Sequence, residues 1–223
     1  MDFEAILFDC DGVLVDSERI YVDVERDHLS RIGLNFELDD YMARFQGLGA
    51  NDFHSALDAD YRALGKGPLP ESFWPDLDAA TKLRMDAELV DIRGIKPLLE
   101  AHTGPRAVAS SSSLPALIRK LGHTGLSRYF EPHIYSGEQV ENGKPAPDLF
   151  LFAAGKLGIA PERCLVIEDS SNGVIAGLAA GMTVWGFTGG GHCQAGHGRK
   201  LRAAGADLVI ADHGELAARL NGG

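Results

Sequence analysis

The stretch Phe8-Asp9-Cys10-Asp11-Gly12-Val13 closes the short apolar run Ala5–Phe8, and it constrains the fold more than any other part of the chain. The apolar run reads as a buried strand, and the glycine just beyond it marks the turn that ends it. Side chains two apart on a strand leave the same face, so Asp9 and Asp11 project toward one ligand. An acid pair at the C-terminal end of a strand can bind a cation, carry out acid–base chemistry, or do both. One carboxyl can ionise while its neighbour, under different local charge, holds a proton. Cys10, between the two acids, points the other way and reads as a buried core thiol.

The rest of the chain supplies a sheet for such a strand. A helix is predicted from Ser17 to Arg31, with Gly33 as its C-terminal cap. Residues 34–88 hold no convincing β run and read as helices joined by turns. From Ile92 the pattern changes. Short β-like runs at Ala107–Ala109, His133–Tyr135, Cys164–Ile167, Thr183–Phe187 and Asp207–Ile210 alternate with helical stretches at Leu114–Leu121, Pro147–Leu157 and Gly173–Ala180. That alternation indicates βαβ units and an α/β fold: a doubly wound parallel sheet, Rossmann-like, interrupted after its first strand by a helical insert. The expected boundaries are 1–16 and 89–223 for the core and 17–88 for the insert. In such sheets ligands bind at the C-terminal ends of the strands.

Composition narrows the classes. A chain of 223 residues, 45% apolar, can bury a sizeable core and carry a second, smaller unit. No apolar run approaches the roughly 18 residues of a membrane span. Asp2 and Glu4 stand where a leader would be basic and apolar, so a cytoplasmic protein is expected. Cys10, Cys164 and Cys193 are scattered and odd in number, which fits reduced thiols. A net charge of −11 disfavours nucleic-acid binding. An anionic ligand must then be drawn in by local features: a metal, one or two lysines and helix N-termini.

The strand ends test this architecture, because polar residues just after each strand should form one coherent site. The first strand delivers Asp9 and Asp11, and the second Ser110, followed by Ser111, Ser112 and Ser113. The fourth delivers Glu168 and Asp169, and the segment GKPAPD between them supplies Lys144. Several carboxylates at one edge repel one another unless a hard cation sits among them. Mg²⁺ suits oxygen donors and keeps part of its water shell for a phosphate. A serine hydroxyl and a lysine ammonium can bind the remaining phosphate oxygens. Taken singly, Asp-x-Asp could be turn chemistry, Lys144 a solvated loop residue, and Glu168-Asp169 a helix cap. Their joint arrival at successive strand ends favours a catalytic reading.

These four motifs, Asp9-Cys10-Asp11-Gly12-Val13, Ser110, Lys144 within GKPAPD, and Glu168-Asp169, resemble the haloacid dehalogenase superfamily of phosphotransferases, specifically its group with a helical cap inserted after the first strand. The resemblance spans essentially the whole chain and implies roles. Asp9 is the nucleophile that forms an aspartyl-phosphate. Asp11 is the acid for the leaving alkoxide and then the base for water. Ser110 and Lys144 hold phosphoryl oxygens, and Lys144 steadies Asp9. Asp9, Asp169 and the backbone carbonyl of Asp11 bind Mg²⁺, with Glu168 assisting. Dehalogenases of the family lack an acid at the Asp11 position because a halide leaves unprotonated, so phosphorus chemistry is expected.

The insert is expected to act as a lid over the site. Its loop Arg44–Asp52 resembles the family's substrate-specificity loop, closest in pattern to 6-phosphogluconate phosphatase-like proteins and β-phosphoglucomutase. Arg44, Gln46, Asn51 and His54 are candidate substrate contacts from the insert, and Ser111 from the core. Ala50 stands where the mutase has a phosphate-gripping arginine, and Tyr21 where it has a histidine. The expectation is therefore a Mg²⁺-dependent phosphatase for a small phosphorylated metabolite, a sugar or sugar-acid phosphate, acting as a monomer or weak homodimer with no nucleic-acid or membrane partner. A phosphomutase and a non-catalytic metabolite-binding protein are the alternatives. In the glycine-rich segment 186–200, His192, Cys193 and His197 invite a zinc reading. The adjacency of His192 and Cys193 and the want of a fourth ligand favour instead a mobile loop at the rim of the site.

Overall fold

Six short parallel strands carry the core: β1 (Ala5–Phe8), β2 (Arg106–Ser110), β3 (Ile134–Ser136), β4 (Cys164–Glu168), β5 (Thr183–Phe187) and β6 (Leu208–Ile210). They lie in the order β3-β2-β1-β4-β5-β6. The computed structural model describes residues 3–45 and 50–222, apart from the side chains of Ala50 and Asn51. Parallel strands covered on both faces must be apolar throughout, and β1 and β4 are buried at every position. The chain reverses direction across the sheet at β1, so the crevice where ligands bind such sheets falls between β1 and β4. Each strand lies within one residue of its sequence-based expectation.

The helices follow in chain order: α1 (Ser17–Arg31), α2 (Leu38–Phe45), α3 (Ala50–Ala63), α4 (Phe73–Glu88), α5 (Ile95–Ala101), α6 (Leu114–His123), α7 (Ser127–Phe130), α8 (Asp148–Leu157), α9 (Ser171–Ala179), α10 (His197–Ala203) and α11 (His213–Asn221). The two-residue period of the strands sorts their side chains by face. Leu7, Ala107, Ala109, Val166 and Val184 form one core cluster with Leu149, Phe150 and Ala153 of α8, Val174 of α9 and Leu201 of α10. On the opposite face Phe8 meets Phe130 of α7 edge-on at 5.8 Å, and Phe187 stacks on His213 of α11 at 4.5 Å.

The chain divides into two units, Met1–Glu18 with Leu89–Gly223, and Arg19–Glu88. Where the chain leaves and re-enters the first unit, the two segments pair. Asp16 N donates to Val90 O at 3.0 Å, and Ile92 N to Leu14 O at 2.9 Å. The second unit has its own apolar interior. Phe45 of α2 meets Phe36 at 5.2 Å and Phe53 of α3 at 5.4 Å, both edge-on. The Arg26 guanidinium ties α1 to the next segment by donating Nε–H and Nη2–H to Phe36 O, each at 3.1 Å.

His213 locks α11 to the loop after β1. Its Nε2–H donates to Val13 O at 2.8 Å, while Nδ1 is buried without a partner. Burial pushes its pKa down to about 4, against ~6.5 for an unfolded histidine. The neutral ring therefore stabilises the fold fully above pH ~6.5, and that contribution is lost as pH falls toward 4. Between pH 7 and pH 5 the wild type should lose about 2 kcal/mol relative to His213→Gln, which keeps an N–H donor but cannot ionise. Denaturant midpoints of the two proteins across that range measure the difference.

Candidate active site

The backbone turns sharply after β1. Leu14 N and Val15 N both donate to Cys10 O, at 2.9 and 3.1 Å, and Gly12 N donates to Val15 O at 2.9 Å. Gly12 adopts φ +77, and a Cβ there would stand 1.8 Å from Asp169 Oδ2. Glycine is thus required both by backbone conformation and by the approach of the β4 acid to the β1 loop. Asp9 and Asp169 are 7% and 6% exposed, and Cys10, as its strand position predicts, is wholly buried.

Lys144 joins the strand ends. Its ammonium donates to Asp9 Oδ1 at 2.5 Å, Glu168 Oε1 at 2.6 Å and Ala109 O at 2.8 Å, which uses all three of its protons. Two neighbouring carboxylates raise its pKa although burial opposes this. Glu168 completes the clamp by accepting from Ser170 N at 3.0 Å and Ser170 Oγ at 2.9 Å through its other oxygen. Ser170 Oγ in turn caps α9 by accepting from Gly173 N at 3.0 Å. Both Glu168 oxygens are engaged, one with Lys144 and the other with Ser170.

Asp11 sits in a second network. Its Oδ1 accepts from Lys120 Nζ and Ser17 Oγ. Its Oδ2 accepts from Ser112 Oγ at 2.7 Å and, more weakly, Ser110 Oγ at 3.4 Å. Lys120 also donates to Ser112 Oγ at 3.0 Å. The sequence reading missed Lys120, although it carried a signal. Lys120 lies on α6 among Leu117 and Leu121, a lysine on the buried stripe of an amphipathic helix. It is only 3% exposed. Ser111, the candidate substrate contact from the core, is exposed. Ser110 and Ser112, two apart, share the face that meets Asp11.

The two acids of the pair are pushed in opposite directions. Burial raises Asp9 well above the usual carboxylate range, Lys144 pulling it down and the neighbouring Glu168 and Asp169 adding to the rise. Burial also raises Asp11, but the charge and hydrogen bond of Lys120, with those of Ser17 and Ser112, bring it below its ordinary value. Asp169 is raised well above normal by burial and by Glu168. Glu18, which the sequence reading did not single out, is pushed up to about 8 by burial and by the carboxylates of Asp11 and Asp169.

The glycine-rich loop after β5 borders this edge, with Gly191 exposed and His197 buried. His192 Nε2 lies 3.2 Å from Asp169 Oδ2. His197 Nε2 donates to Asp169 O at 2.6 Å. Gly191 N donates to Asp16 Oδ1 at 2.9 Å, pinning the loop to the segment that follows the acid pair.

The donor set fits Mg²⁺. Asp9, Asp169 and the main-chain carbonyl of Asp11 offer hard oxygens. Four carboxyls, Asp9, Asp11, Glu168 and Asp169, face two ammonium groups, Lys120 and Lys144, and the rise in Asp9 and Asp169 is the cost of that imbalance in a desolvated place.

The insert residues behave differently. Arg44 is committed within its own unit, to Asp60, with Nη2–Oδ1 at 2.8 Å and Nε–Oδ2 at 3.2 Å. His54 lies against Trp74, ring centroids 3.8 Å apart. Gln46 and the Asn51 side chain lie outside the described residues.

Fold and edge together define a class: Rossmann-like α/β proteins that gather an acid pair, a buried lysine and a further acid where the sheet order reverses. Residues 3–181 match the haloacid dehalogenase-like hydrolase family, and the chain belongs to it. It is 36% identical to a haloacid dehalogenase-like protein of unknown function from Agrobacterium tumefaciens, with a TM-score of 0.89 over 99% of this chain and 98% of that one. A hydrolase of the same family from Deinococcus radiodurans, solved with bound phosphate and sodium, is 37% identical, with a TM-score of 0.84 over 99% and 96% of the two chains. The 6-phosphogluconate phosphatase of Escherichia coli is 29% identical over 82% of each chain. No described helix is long and apolar enough to cross a membrane.

Gly173 offers a direct check on the Glu168 clamp. A Cβ there would lie 1.8 Å from Glu168 Oε1. Replacing a helical glycine with alanine ordinarily gains up to about 1 kcal/mol. Here Gly173→Ala should instead cost about 1–3 kcal/mol, the range for overpacking a filled site. A thermal or denaturant midpoint at or above the wild-type value would show that Glu168 is not held where described.

Proposed function

We propose that this chain is a phosphatase that hydrolyses the phosphate monoester of a small sugar or sugar acid through an aspartyl-phosphate on Asp9. The observation that carries the reading is the Asp9–Lys144 contact at 2.5 Å, with Asp11 two residues along the same turn. A phosphatase of this kind needs a positioned carboxylate nucleophile, a cation beside it, and a second carboxyl that handles protons. The names of the chain's relatives, among them a 6-phosphogluconate phosphatase and a fructose-1-phosphate phosphatase, support the substrate class.

Asp9 attacks phosphorus, and the ester oxygen departs with a proton from Asp11. Asp11, now a carboxylate, takes a proton from water, whose oxygen attacks the phosphoryl group and returns Asp9 free. Lys144 keeps the Asp9 carboxylate aimed and shields its charge. Ser110, beside Asp11, is placed to donate to a phosphoryl oxygen. Asp9, Asp169 and the Asp11 carbonyl are the groups that would hold Mg²⁺, which would offset charge on the phosphoryl oxygens. The insert serves as the cap that excludes water and selects the sugar. Ala50 standing where a mutase has a phosphate-gripping arginine supports hydrolysis over a mutase reaction.

Lys120 acts through Asp11 as a positioning residue. It orients the carboxylate and must release it for the step in which Asp11 donates a proton. Lys120→Met should lower kcat for alkyl phosphates by at least ~10-fold, a modest part of what general acid–base catalysis supplies, with Lys120→Arg recovering some of the loss. Unchanged kcat in Lys120→Met would remove the lysine from the mechanism.

Phosphate release from a panel of phosphorylated metabolites, with and without Mg²⁺, tests the whole reading. Asp9→Asn is the blank, since an amide cannot attack phosphorus. Mg²⁺-dependent release that vanishes in Asp9→Asn is the expected outcome. Isomerisation of one sugar phosphate without net release would make the chain a mutase, and neither activity would leave a binding protein.

A further inference from the structure

Bordering the carboxylate edge, the described residues bring together His192, Cys193 and His197. One ring nitrogen of each histidine and the cysteine Sγ lie within 4.8 Å of one another. Two consecutive turns create the convergence, with Cys193 N donating to Gly190 O and His197 N to Gln194 O, each at 3.0 Å. The first turn is closely packed. A Cβ on Gly190 would stand 2.7 Å from Gly12 O, and one on Gly191 would stand 2.8 Å from the Asp16 carboxylate. Two glycines are therefore spent on seating this loop.

The protonation pattern points to a cation. A carbonyl oxygen only accepts, so His197 Nε2, at 2.6 Å from Asp169 O, carries the ring proton and Nδ1 carries the lone pair. His192 Nε2 faces the Asp169 carboxylate at 3.2 Å, which favours the same tautomer. A ring N–H anchored on a carbonyl or carboxylate, with the other nitrogen left as a donor of electrons, is the usual state of a metal-ligating histidine. Cys193 lies close beside, its Sγ 4.0 Å from His192 Nδ1 and 3.4 Å from Nε2.

We propose that His192, Cys193 and His197 form a three-ligand site for a soft divalent cation, Zn²⁺ above all, with a fourth position open to water. Imidazole and thiolate select zinc, whereas carboxylate and carbonyl oxygens select magnesium. The two sites are therefore sorted by donor softness although Asp169 borders both. Ligand atoms around tetrahedral zinc lie roughly 3.5 Å apart, so atoms now within 4.8 Å of one another would draw closer on the ion. Ligation replaces the thiol proton of Cys193, which passes to solvent. The sequence pattern lacked an evident fourth ligand, and a site with three protein ligands and one solvent position does not require one.

Co²⁺, a spectroscopic stand-in for Zn²⁺, tests the site in the full chain with Mg²⁺ present at saturating concentration. One equivalent of Co²⁺ should give a near-ultraviolet thiolate-to-cobalt charge-transfer band and the intense visible bands of four-coordinate cobalt, both bleached by Zn²⁺. Cys193→Ser should lose the charge-transfer band and bind Zn²⁺ at least ~10-fold more weakly, the lower end of what even an outer-shell partner contributes. His197→Gln should weaken binding while keeping the thiolate band. Only weak, six-coordinate bands in the wild type, or wild-type Zn²⁺ affinity in Cys193→Ser, would place the ion on the carboxylates and overturn the proposal. The readout does not depend on turnover, so it stands or falls apart from the phosphatase reading.

Discussion

The burial of four carboxyls at one edge of the sheet governs the rest of the core. An ionised carboxylate removed from water costs several kcal/mol even after relaxation, so each must find compensation within a few ångströms. Lys144 supplies most of it for Asp9 and Glu168, and its third proton goes to the Ala109 carbonyl at the end of β2. One ammonium therefore stitches together the ends of β1, β2 and β4. Gly12 and Gly173 follow from the same constraint, since a side chain at either would occupy space already taken by a buried carboxyl.

The opposite pulls on Asp9 and Asp11 have a chemical meaning. Neighbouring acids whose proton affinities are driven apart are the mark of divided acid and base roles. Without a cation the order is the reverse of what the first proposed step needs, for Asp9 is raised and Asp11 lowered. A divalent ion held by Asp9 and Asp169 would lower the proton affinity of both.

Much of this was legible in the chain because strands announce themselves locally. Apolar runs of three to five residues, each followed by a polar group, placed β1 to β6 and put Asp9, Asp11, Ser110, Lys144 and Asp169 at one edge. Other features depend on contacts that no local pattern carries. Lys120 is eight residues beyond Ser112, on a helix, and only packing shows that its ammonium returns to Asp11. The choice between Ser111 and Ser112 turns on the direction of a side chain after the strand has ended. Nothing local reveals Asp60, sixteen residues on, as the partner of Arg44. A glycine-rich segment likewise carries no signal for the contact of His192 with Asp169.

The paired segments at the foot of the insert have an evolutionary consequence. Asp16 with Val90, and Leu14 with Ile92, close the helical unit as though it were a long loop emerging from one point of the core. The entropy of closing a loop grows only logarithmically, by about 0.6 kcal/mol for each doubling of length. The core is therefore nearly indifferent to what is threaded between those hydrogen bonds. Selection can lengthen, shorten or replace the insert, and so change what is recognised, while the machinery at the sheet edge is inherited untouched.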